Sequence, residues 1–435
     1  MKLSLIFLSL IISPFISLSQ SLYFPPNTGN TWDTLSPESL NWCPSEIDNL
    51  YSFLDTNNTK AFILLKDGKI VLEKYFGTHT QSSSWYWASA GKTITSFLIG
   101  IAQQENYLSI SDTTSTYLGP GWTDCTPIQE EKITIRNQLT MTSGLDDGVP
   151  DHYCTLDTCL IYLAEPDTRW AYHNGPYTLL DSVIENATGM TMNGFTTQKL
   201  KSPIGMTGLF IPVDYNNVFY STARSMARFG LLMLNNGNWN GNQIMTDLNY
   251  FNQMITPSQS MNNAYGYLWW LNGSSSYMVP GSQFVFNGQL NSNAPTDMYA
   301  AIGKNGQFIN VVPSENLVWI RMGDAPDNSD VPFLMNNEIW SYLNQLNCGS
   351  TGLSDSEMSE LITISPNPFS ENFLVSSEKE IIRYELYNTQ GQLLILKSES
   401  NYTINLPTSS YKNGVYFLKV ILNDGNSVLK KILKN

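Results

Sequence analysis

The chain has 435 residues, of which 42% are hydrophobic and 14% are charged, and its formal net charge at pH 7 is -14. This length predicts two or more domains, and the apolar content predicts a large buried core. The negative charge argues against sequence-independent binding to nucleic acid and against docking on anionic lipid through a basic face.

Residues 1–19 have the features of a secretory signal peptide. A lone Lys2 precedes a short apolar run, Pro14 interrupts that run, and a small residue follows at Ser19. Such a segment is too short and too broken to anchor in a membrane, and no other stretch offers about 20 uninterrupted apolar residues. We expect cleavage near Ser19 or Gln20 and no transmembrane segment.

The five cysteines indicate disulfides in an exported chain. Cys154 and Cys159 flank a short polar loop, while Cys43 and Cys348 would meet if the two helices beside them pack antiparallel. Cys125 is then left over, or it pairs with Cys154 or Cys159, and the sequence leaves the connectivity open. We expect no metal or cofactor, because there is no C-x-x-C spacing and the chain has only three histidines.

The first predicted elements after the signal peptide are a helix over residues 44–55 and a hairpin. Two apolar runs are joined by Lys66-Asp67-Gly68-Lys69. Asp-Gly between strand-like runs is a strong hairpin signal because both positions favour a left-handed turn.

The next segment contains Ser89-Ala90-Gly91-Lys92, an S-x-x-K tetrad at the start of a predicted helix with one buried face. Residues three apart share a helix face, so the Lys92 ammonium can reach the Ser89 hydroxyl. The same tetrad recurs elsewhere in the chain, but none of the other copies opens an amphipathic helix; they begin at Ser376, Ser409 and Ser427. The helical copy therefore predicts a nucleophilic serine.

A nucleophilic serine needs a base. Trp87 stands where a G-x-S-x-G turn would need glycine, which disfavours an α/β-hydrolase triad, and His173 is the one histidine worth testing as a base. Tyr172-His173-Asn174 offers a tyrosine instead, because a nearby ammonium favours the phenolate. We expect Asn174 to hold Lys92 or a substrate amide.

The rest of the chain divides into a middle region, a meander and a tail. Residues 107–297 read mostly as helices and loops, with a helix over 177–186, and loops around Trp85, Trp87, Trp269 and residues 146–153 are expected to shape a pocket. The later predicted elements are strands over 298–303, 307–312 and 317–322, a helix over 332–347, a small polar linker over 348–360 and short strands separated by turns over 361–435.

Several ordered segments resemble the β-lactamase-related serine hydrolases, a superfamily with class C β-lactamases, DD-peptidases, esterases and 6-aminohexanoate-dimer hydrolases. They are the Ser89 tetrad, KITIRNQLTMTSGL, WAYHNGPYTLL, STARSMARFGLLMLNNGNW and AIGKNGQ. The segments YFPP, YGYLWWLNG and GKNGQFINVVPSENLVWIRMG are most similar to the 6-aminohexanoate-dimer hydrolase branch. The resemblance covers residues 23–347, within a predicted hydrolase domain of residues 20–347.

This resemblance implies an α+β fold with two lobes, in which the hairpin and the meander share one antiparallel sheet flanked by the terminal helices. It also implies that Ser89 is the nucleophile, Lys92 its proton partner and Tyr172 the general base.

For the oxyanion hole, the resemblance implies the backbone N–H groups of Ser89 and Lys304, beside Gly303 at the end of a strand. The third family motif, K-T-G or H-x-G, falls on Ala301-Ile302-Gly303, where the basic residue is missing. This absence argues against penicillin-type carboxylate recognition and against a true β-lactamase.

Residues 361–435 predict a small all-β sandwich. The segments SPNPFSENFLV, ELYNTQGQLL, INLPTSSYKNGVYFLKVILNDG and KKILK resemble a type A sorting domain of the type IX secretion system. The resemblance implies the type IX machinery as a partner and a secreted or cell-surface protein. A carbohydrate-binding β-module is the alternative.

Together these features predict an exported serine hydrolase that cleaves an amide or ester through an acyl-enzyme on Ser89. The substrate would be a small molecule or a peptide-like compound. One alternative is a DD-peptidase or penicillin-binding protein, and another is a non-catalytic surface protein that uses the same fold to bind peptidoglycan or a peptide.

Overall fold

The computed structural model describes residues 22–348, 362–389, 392–423 and 427–435. The chain divides into two compact units, residues 1–348 and 349–435. The predicted signal peptide and, apart from Cys348, the predicted linker lie outside the described residues. The predicted domain limits therefore stay predictions.

The first unit contains the predicted hairpin and meander together with shorter strands. They are, in chain order, β1 (Thr59–Lys66), β2 (Lys69–Tyr75), β3 (Ser84–Tyr86), β4 (Leu209–Val213), β5 (Asn216–Thr222), β6 (Asn238–Trp239), β7 (Asn242–Gln243), β8 (Trp270–Leu271), β9 (Ser276–Tyr277), β10 (Phe286–Asn287), β11 (Tyr299–Gly303), β12 (Gln307–Val312) and β13 (Leu317–Gly323).

Six of these strands form one antiparallel sheet in the order β2-β1-β13-β12-β11-β8. Asp67 and Gly68 have φ angles of 50° and 80°, the left-handed turn that joins β1 to β2 and places Lys66 opposite Lys69. On its other edge β1 pairs with β13. The prediction that the early hairpin and the late meander share one sheet is confirmed.

The helices of the first unit flank this sheet and fill the middle of the chain. They are α1 (Pro44–Thr56), α2 (Lys92–Gln104), α3 (Ser115–Leu118), α4 (Pro127–Glu130), α5 (Ile135–Leu139), α6 (Asn174–Thr178), α7 (Leu180–Thr188), α8 (Met192–Thr196), α9 (Ser202–Ile204), α10 (Ala223–Leu234), α11 (Leu248–Met254) and α12 (Phe333–Leu343). None of the helices in the described ranges is long and apolar enough to cross a bilayer.

The two terminal helices meet, which is the condition under which Cys43 and Cys348 were expected to pair. The Phe53 ring on α1 stacks on the Tyr342 ring on α12 with centroids 4.7 Å apart, and a disulfide joins Cys43 to Cys348. A second disulfide joins Cys154 to Cys159, and Cys125 is a free thiol. The structure thus selects one of the cysteine pairings that the sequence left open.

Helix α2 is buried on all sides rather than on one face. Every residue from Lys92 to Ala102 is buried. The Phe97 ring packs on Phe229 of α10 at 6.0 Å, and the Tyr250 hydroxyl on α11 donates a hydrogen bond to the Ser96 carbonyl oxygen at 2.7 Å. The apolar periodicity identified the helix but not its depth, because helices from distant parts of the chain enclose its polar face.

A small sheet in the order β3-β5-β4 supports the start of α2. We predicted mostly helices and loops for residues 107–297, and the strands β4 and β5 were not among the predicted elements. The Trp87 amide donates to the Phe219 carbonyl oxygen at 2.8 Å, and the Trp87 indole N–H donates to Ser221 Oγ at 2.8 Å. Strand β5 therefore fixes the turn that carries Ser89.

The second unit is built from strands, as predicted. They are β14 (Ile362–Ser365), β15 (Asn372–Asn388), β16 (Leu393–Pro407), β17 (Gly414–Leu422) and β18 (Ser427–Lys434). One half of the long β15 pairs with β14 and the other half with β17, while β16 runs along its opposite edge. This sandwich-like unit has a core of its own, which includes Phe373 and Leu418.

Candidate active site

Ser89 lies in a strained turn immediately before α2. It belongs to a 3₁₀ helix, Ala88–Gly91, and the preceding Ala88 has a φ of 47°. A left-handed conformation at a residue with a side chain costs about 1–3 kcal/mol and persists only where the surrounding structure enforces it. The hydrogen bonds of Trp87 to β5 supply that enforcement, so the Ser89 hydroxyl has a fixed position.

The Lys92 side chain is buried, with 4% of the residue exposed, and it points at Ser89. Its Nζ lies 3.0 Å from Ser89 Oγ and 2.8 Å from Asn174 Oδ1. It also lies 4.2 Å from the centre of the Tyr177 ring and 5.1 Å from that of Tyr172. Burial lowers the pKa of Lys92 to about 7, although the carboxylate of Asp181 acts in the opposite direction.

Tyr172 reaches the same point from the loop before α6. Its ring stacks on Trp270 with centroids 5.9 Å apart and an interplanar angle of 17°. Burial raises the pKa of Tyr172, while a hydrogen bond with the Ser89 side chain lowers it. The structure thus brings together Ser89, Lys92, Tyr172 and Asn174, and the Asn174 side chain holds Lys92, one of the two roles we expected.

Gly303 ends β11 against the Ser89 turn. A Cβ atom at this position would lie 2.6 Å from the Trp87 carbonyl oxygen and 3.2 Å from the Ser89 amide nitrogen. No side chain fits there, so the strand end can approach the amide of Ser89. Because that amide is in the first turn of its 3₁₀ helix, it lacks an intrahelical acceptor.

Lys304 follows Gly303 at the rim of the site. Its Nζ pairs with Asp330 Oδ1 at 3.1 Å, and this hydrogen bond raises the pKa of Lys304. The side chain is therefore ion-paired as well as partly solvated. Ala301, where the family motif has its basic residue, is buried and provides no charge.

His173 does not belong to the site. It is 1% exposed, and within the described chain neither of its ring nitrogens has a hydrogen-bond partner. Burial lowers its pKa to about 4. A histidine base for Ser89 is therefore not supported at this position.

Two cavities meet at Ser89, and Tyr153 and Lys304 also line both of them. The Tyr172 cavity has a volume of about 370 Å³, and its walls include Asp147, His152, Tyr172, Asn174, Ser329 and Asp330. The Tyr177 cavity has a volume of about 290 Å³, and its walls include Tyr86, Tyr177, Val213, Asn217, Val218 and Tyr220.

The expectations about pocket loops are only partly confirmed. Residues 146–153 do line the Tyr172 cavity, and the Cys154–Cys159 disulfide closes the loop that follows them. Tyr86 and Ala88, on either side of Trp87, line the Tyr177 cavity, so the expectation for that loop is confirmed as well. The Trp87 and Trp269 side chains themselves are fully buried in the core. An indole ring buried in the core removes more apolar surface from water, and so stabilises the fold more, than one left exposed at the rim of a cavity.

The sequence analysis missed a polar cluster beneath Lys92. Asp181, which is 7% exposed, accepts hydrogen bonds from Asn217 Nδ2 at 3.0 Å and from Thr95 Oγ1 at 3.4 Å. Burial raises the pKa of Asp181 to about 7. The signal was the helical spacing of Asn174, Tyr177 and Asp181, which was overlooked because we began that helix at Tyr177 rather than at Asn174.

Comparison with known proteins assigns a family to each of the two units. Residues 59–334, more than half of the chain, match the beta-lactamase family. Residues 363–435 match the secretion system C-terminal sorting domain.

Individual relatives are distant. The chain is 30% identical over 135 residues to penicillin-binding protein 4* of Bacillus subtilis (strain 168), an alignment that covers 27% of this chain and 28% of that protein. The chain thus aligns with less than a third of the length of this relative.

Solved structures share the fold of the first unit. One, from Bacillus anthracis, bears the name of a 6-aminohexanoate-dimer hydrolase; it has a TM-score of 0.55 at 20% identity and covers 74% of this chain and 90% of its own. Another, from Bacteroides dorei DSM 17855, bears the name of a beta-lactamase; it has a TM-score of 0.56 at 17% identity and covers 70% and 99%. The chain therefore belongs to the beta-lactamase family of serine hydrolases and carries a secretion-system sorting domain at its C-terminal end.

Proposed function

We propose that this protein hydrolyses an amide or ester bond through an acyl-enzyme on Ser89. The observation that carries the proposal is the 3.0 Å distance between Nζ of the buried Lys92 and Oγ of Ser89, which lines both cavities. With a pKa of about 7, the Lys92 amine is neutral in about half of the molecules near neutral pH and can accept the hydroxyl proton.

The proton path follows from the two neighbours of Ser89. Lys92 takes the Ser89 proton as Oγ attacks the carbonyl carbon, and the backbone N–H groups of Ser89 and Lys304 stabilise the oxyanion. The Tyr172 phenol gives its proton to the leaving nitrogen or oxygen as that bond breaks, and the proton on Lys92 restores the phenol. Water then attacks the acyl ester and releases the acid, returning a proton to Ser89.

In this proton path Tyr172 acts first as a proton donor to the leaving group, whereas the resemblance implies that it acts first as the base for Ser89. A tyrosine that begins as the base must be a phenolate, whereas burial raises the pKa of Tyr172 and keeps its proton in place. The raised pKa of Tyr172 and the lowered pKa of Lys92 together favour lysine as the acceptor and tyrosine as the donor.

Substitution of the serine tests the proposal. Ser89→Ala should abolish covalent labelling by a fluorophosphonate and lower kcat on p-nitrophenyl esters by a factor on the order of 10⁶. Ser84→Ala, on the exposed start of β3, is the matched control and should label normally. Unchanged labelling of the Ser89 variant would refute the assignment. A wild-type protein that neither labels nor turns over would favour the non-catalytic binding protein.

A DD-peptidase or penicillin-binding role is the second candidate. It draws support from Lys304, whose ammonium lines both cavities near the place where Ala301 lacks a charge, and from the partial similarity to penicillin-binding protein 4*. Covalent labelling by a fluorescent penicillin would favour this role, and hydrolysis of linear amides or esters without such labelling would exclude it.

For export, we propose a signal peptide over residues 1–19, a hydrolase domain over 20–347, a linker over 348–360 and a type A sorting domain over 361–435 read by the type IX machinery. The match of residues 363–435 supports secretion to the cell surface or beyond. Deletion of residues 361–435 should leave the protein inside a host that has this machinery, and normal export of the truncated chain would contradict the proposal.

A further inference from the structure

The two cavities at Ser89 differ in the side chains that face a substrate. The Tyr177 cavity has four tyrosines and two valines among its walls, together with two asparagines and the side chains of Lys92 and Lys304, and no carboxylate is among its described walls. Two of the tyrosine hydroxyls are already engaged: that of Tyr86 accepts a hydrogen bond from Asn305 Nδ2 at 2.7 Å, and that of Tyr177 lies 3.4 Å from Thr95 Oγ1. The hydroxyls of these two tyrosines are therefore less available to a substrate than their rings.

The Tyr172 cavity differs in having carboxylates among its walls, whereas Lys304 lines both cavities. Asp147, His152 and Asp330 are among its walls. Asp147 pairs with Arg169 at 2.6 Å, and Asp330, whose side chain is 87% exposed, pairs with Lys304 at 3.1 Å and has a second carboxylate oxygen open to solvent. Carboxylates in such a wall favour groups that donate hydrogen bonds or carry positive charge.

The positions of Tyr172 and Lys92 indicate which part of the substrate each cavity would hold. Tyr172 lines only the cavity named after it, and Lys92 lines only the other. In the mechanism above the leaving group receives its proton from Tyr172, so it must lie on the Tyr172 side of Ser89. The acyl group then extends into the Tyr177 cavity.

We propose that the substrate joins an apolar or aromatic acyl group, bound in the Tyr177 cavity, to a polar or cationic amine or alcohol, bound in the Tyr172 cavity. This inference rests on the proposed function and adds the substrate class. It makes Val213 and Asp330 determinants of specificity for the acyl group and the leaving group.

Val213 tests the acyl side. It ends β4, is 40% exposed and lines the Tyr177 cavity. On p-nitrophenyl esters, wild-type kcat/KM should be at least about tenfold higher for hexanoate than for acetate, because each buried methylene favours binding about fourfold. Val213→Asp should lower this ratio at least about fivefold.

Leu209 provides a matched control. It lies on the same strand and the same face as Val213, four residues earlier, and is similarly exposed at 49%. At about 3.3 Å per residue it is about 13 Å from Val213, and it is not among the described walls of the Tyr177 cavity. Leu209→Asp should keep the wild-type ratio. Equal ratios in wild type and Val213→Asp would overturn the acyl assignment.

Asp330 tests the leaving-group side. Hexanoylcholine and the hexanoyl ester of 3,3-dimethylbutanol have leaving groups of nearly equal shape, of which only choline is charged. Asp330→Asn should lower the preference for the choline ester about threefold, a modest change because the carboxylate is exposed. An unchanged preference would show that Asp330 does not recognise a cationic leaving group. If Val213→Asp instead changed the preference between the two leaving groups, the leaving group rather than the acyl group would lie in the Tyr177 cavity.

Fluorophosphonate titration of every variant separates the possible failures. Variants that label like the wild type are folded and have the nucleophile, so their selectivity reports on the cavities alone. A wild-type protein that fails to label would refute the proposed function, whereas full labelling with no difference in acyl selectivity would refute this inference only.

Discussion

The S-x-x-K pattern occurs in both units of the chain, but the two settings place its side chains differently. At Ser89 the pattern crosses a 3₁₀ helix into α2, and the lysine nitrogen lies 3.0 Å from the serine oxygen. At Ser376 and Ser427 it lies on strands β15 and β18. Residues three apart in a strand point to opposite faces of the sheet, so these copies separate serine from lysine. Backbone conformation thus decides whether the same letters can form a nucleophile.

Among the predicted substitutions, removal of the lysine beside Ser89 should have the largest effect on turnover. Lys92→Ala takes away the group that accepts the serine proton, and we expect kcat/KM on a p-nitrophenyl ester to fall about 10⁴-fold. Lys430→Ala, in the tail copy that begins at Ser427, should leave turnover within about twofold of wild type. Equal effects in the two units would show that the geometry at Ser89 is not what matters.

Removal of the tyrosine hydroxyl should have a smaller effect. Tyr172→Phe keeps the ring that stacks on Trp270 but loses the proton for the leaving group, and we expect about a 10²-fold loss on an amide. The loss should be smaller on a p-nitrophenyl ester, whose leaving group departs without a proton. A uniform loss on both substrates would instead support Tyr172 as the base for Ser89.

The pH dependence gives the finest test. With the pKa of Lys92 lowered to about 7, kcat/KM should rise with pH through about 7 as the amine loses its proton. Asp181→Asn removes a carboxylate that favours the ammonium, so the rising limb should move to lower pH and the plateau should fall a few-fold. In the described chain, the other titratable groups around Lys92 and Asp181 are Tyr172, Tyr177 and Glu185.

Glu185→Gln is the control for this measurement, because Glu185 is exposed on the same helix as Asp181. Its rate profile should match that of the wild type. If Asp181→Asn gives an unshifted limb, the carboxylate does not act on Lys92.

Local signals were enough to predict much of the fold. Asp67-Gly68 specifies its turn by backbone preference alone, and the helices beside Cys43 and Cys348 follow from short apolar patterns. The tetrad and the Y-x-N likewise identified Ser89, Lys92, Tyr172 and Asn174 by their order along the chain.

What the sequence did not reveal depends on long-range packing. The raised pKa of Asp181 exists because α2, α7 and β5, drawn from distant parts of the chain, exclude water from its carboxylate. The burial of Trp269 could not be predicted for the same reason, because the rings that it contacts in the core, Phe229 and Tyr299, are remote in sequence. Neither environment is encoded by a local pattern.

The Cys43–Cys348 disulfide has a consequence for the life of the exported molecule. Its second cysteine is the last residue of the first unit. A cut between Cys348 and the second unit would remove the tail without opening the covalent ring of chain that contains Ser89, Lys92 and Tyr172. Loss of the sorting domain would therefore leave Cys43 and Cys348, near the two ends of the first unit, covalently joined.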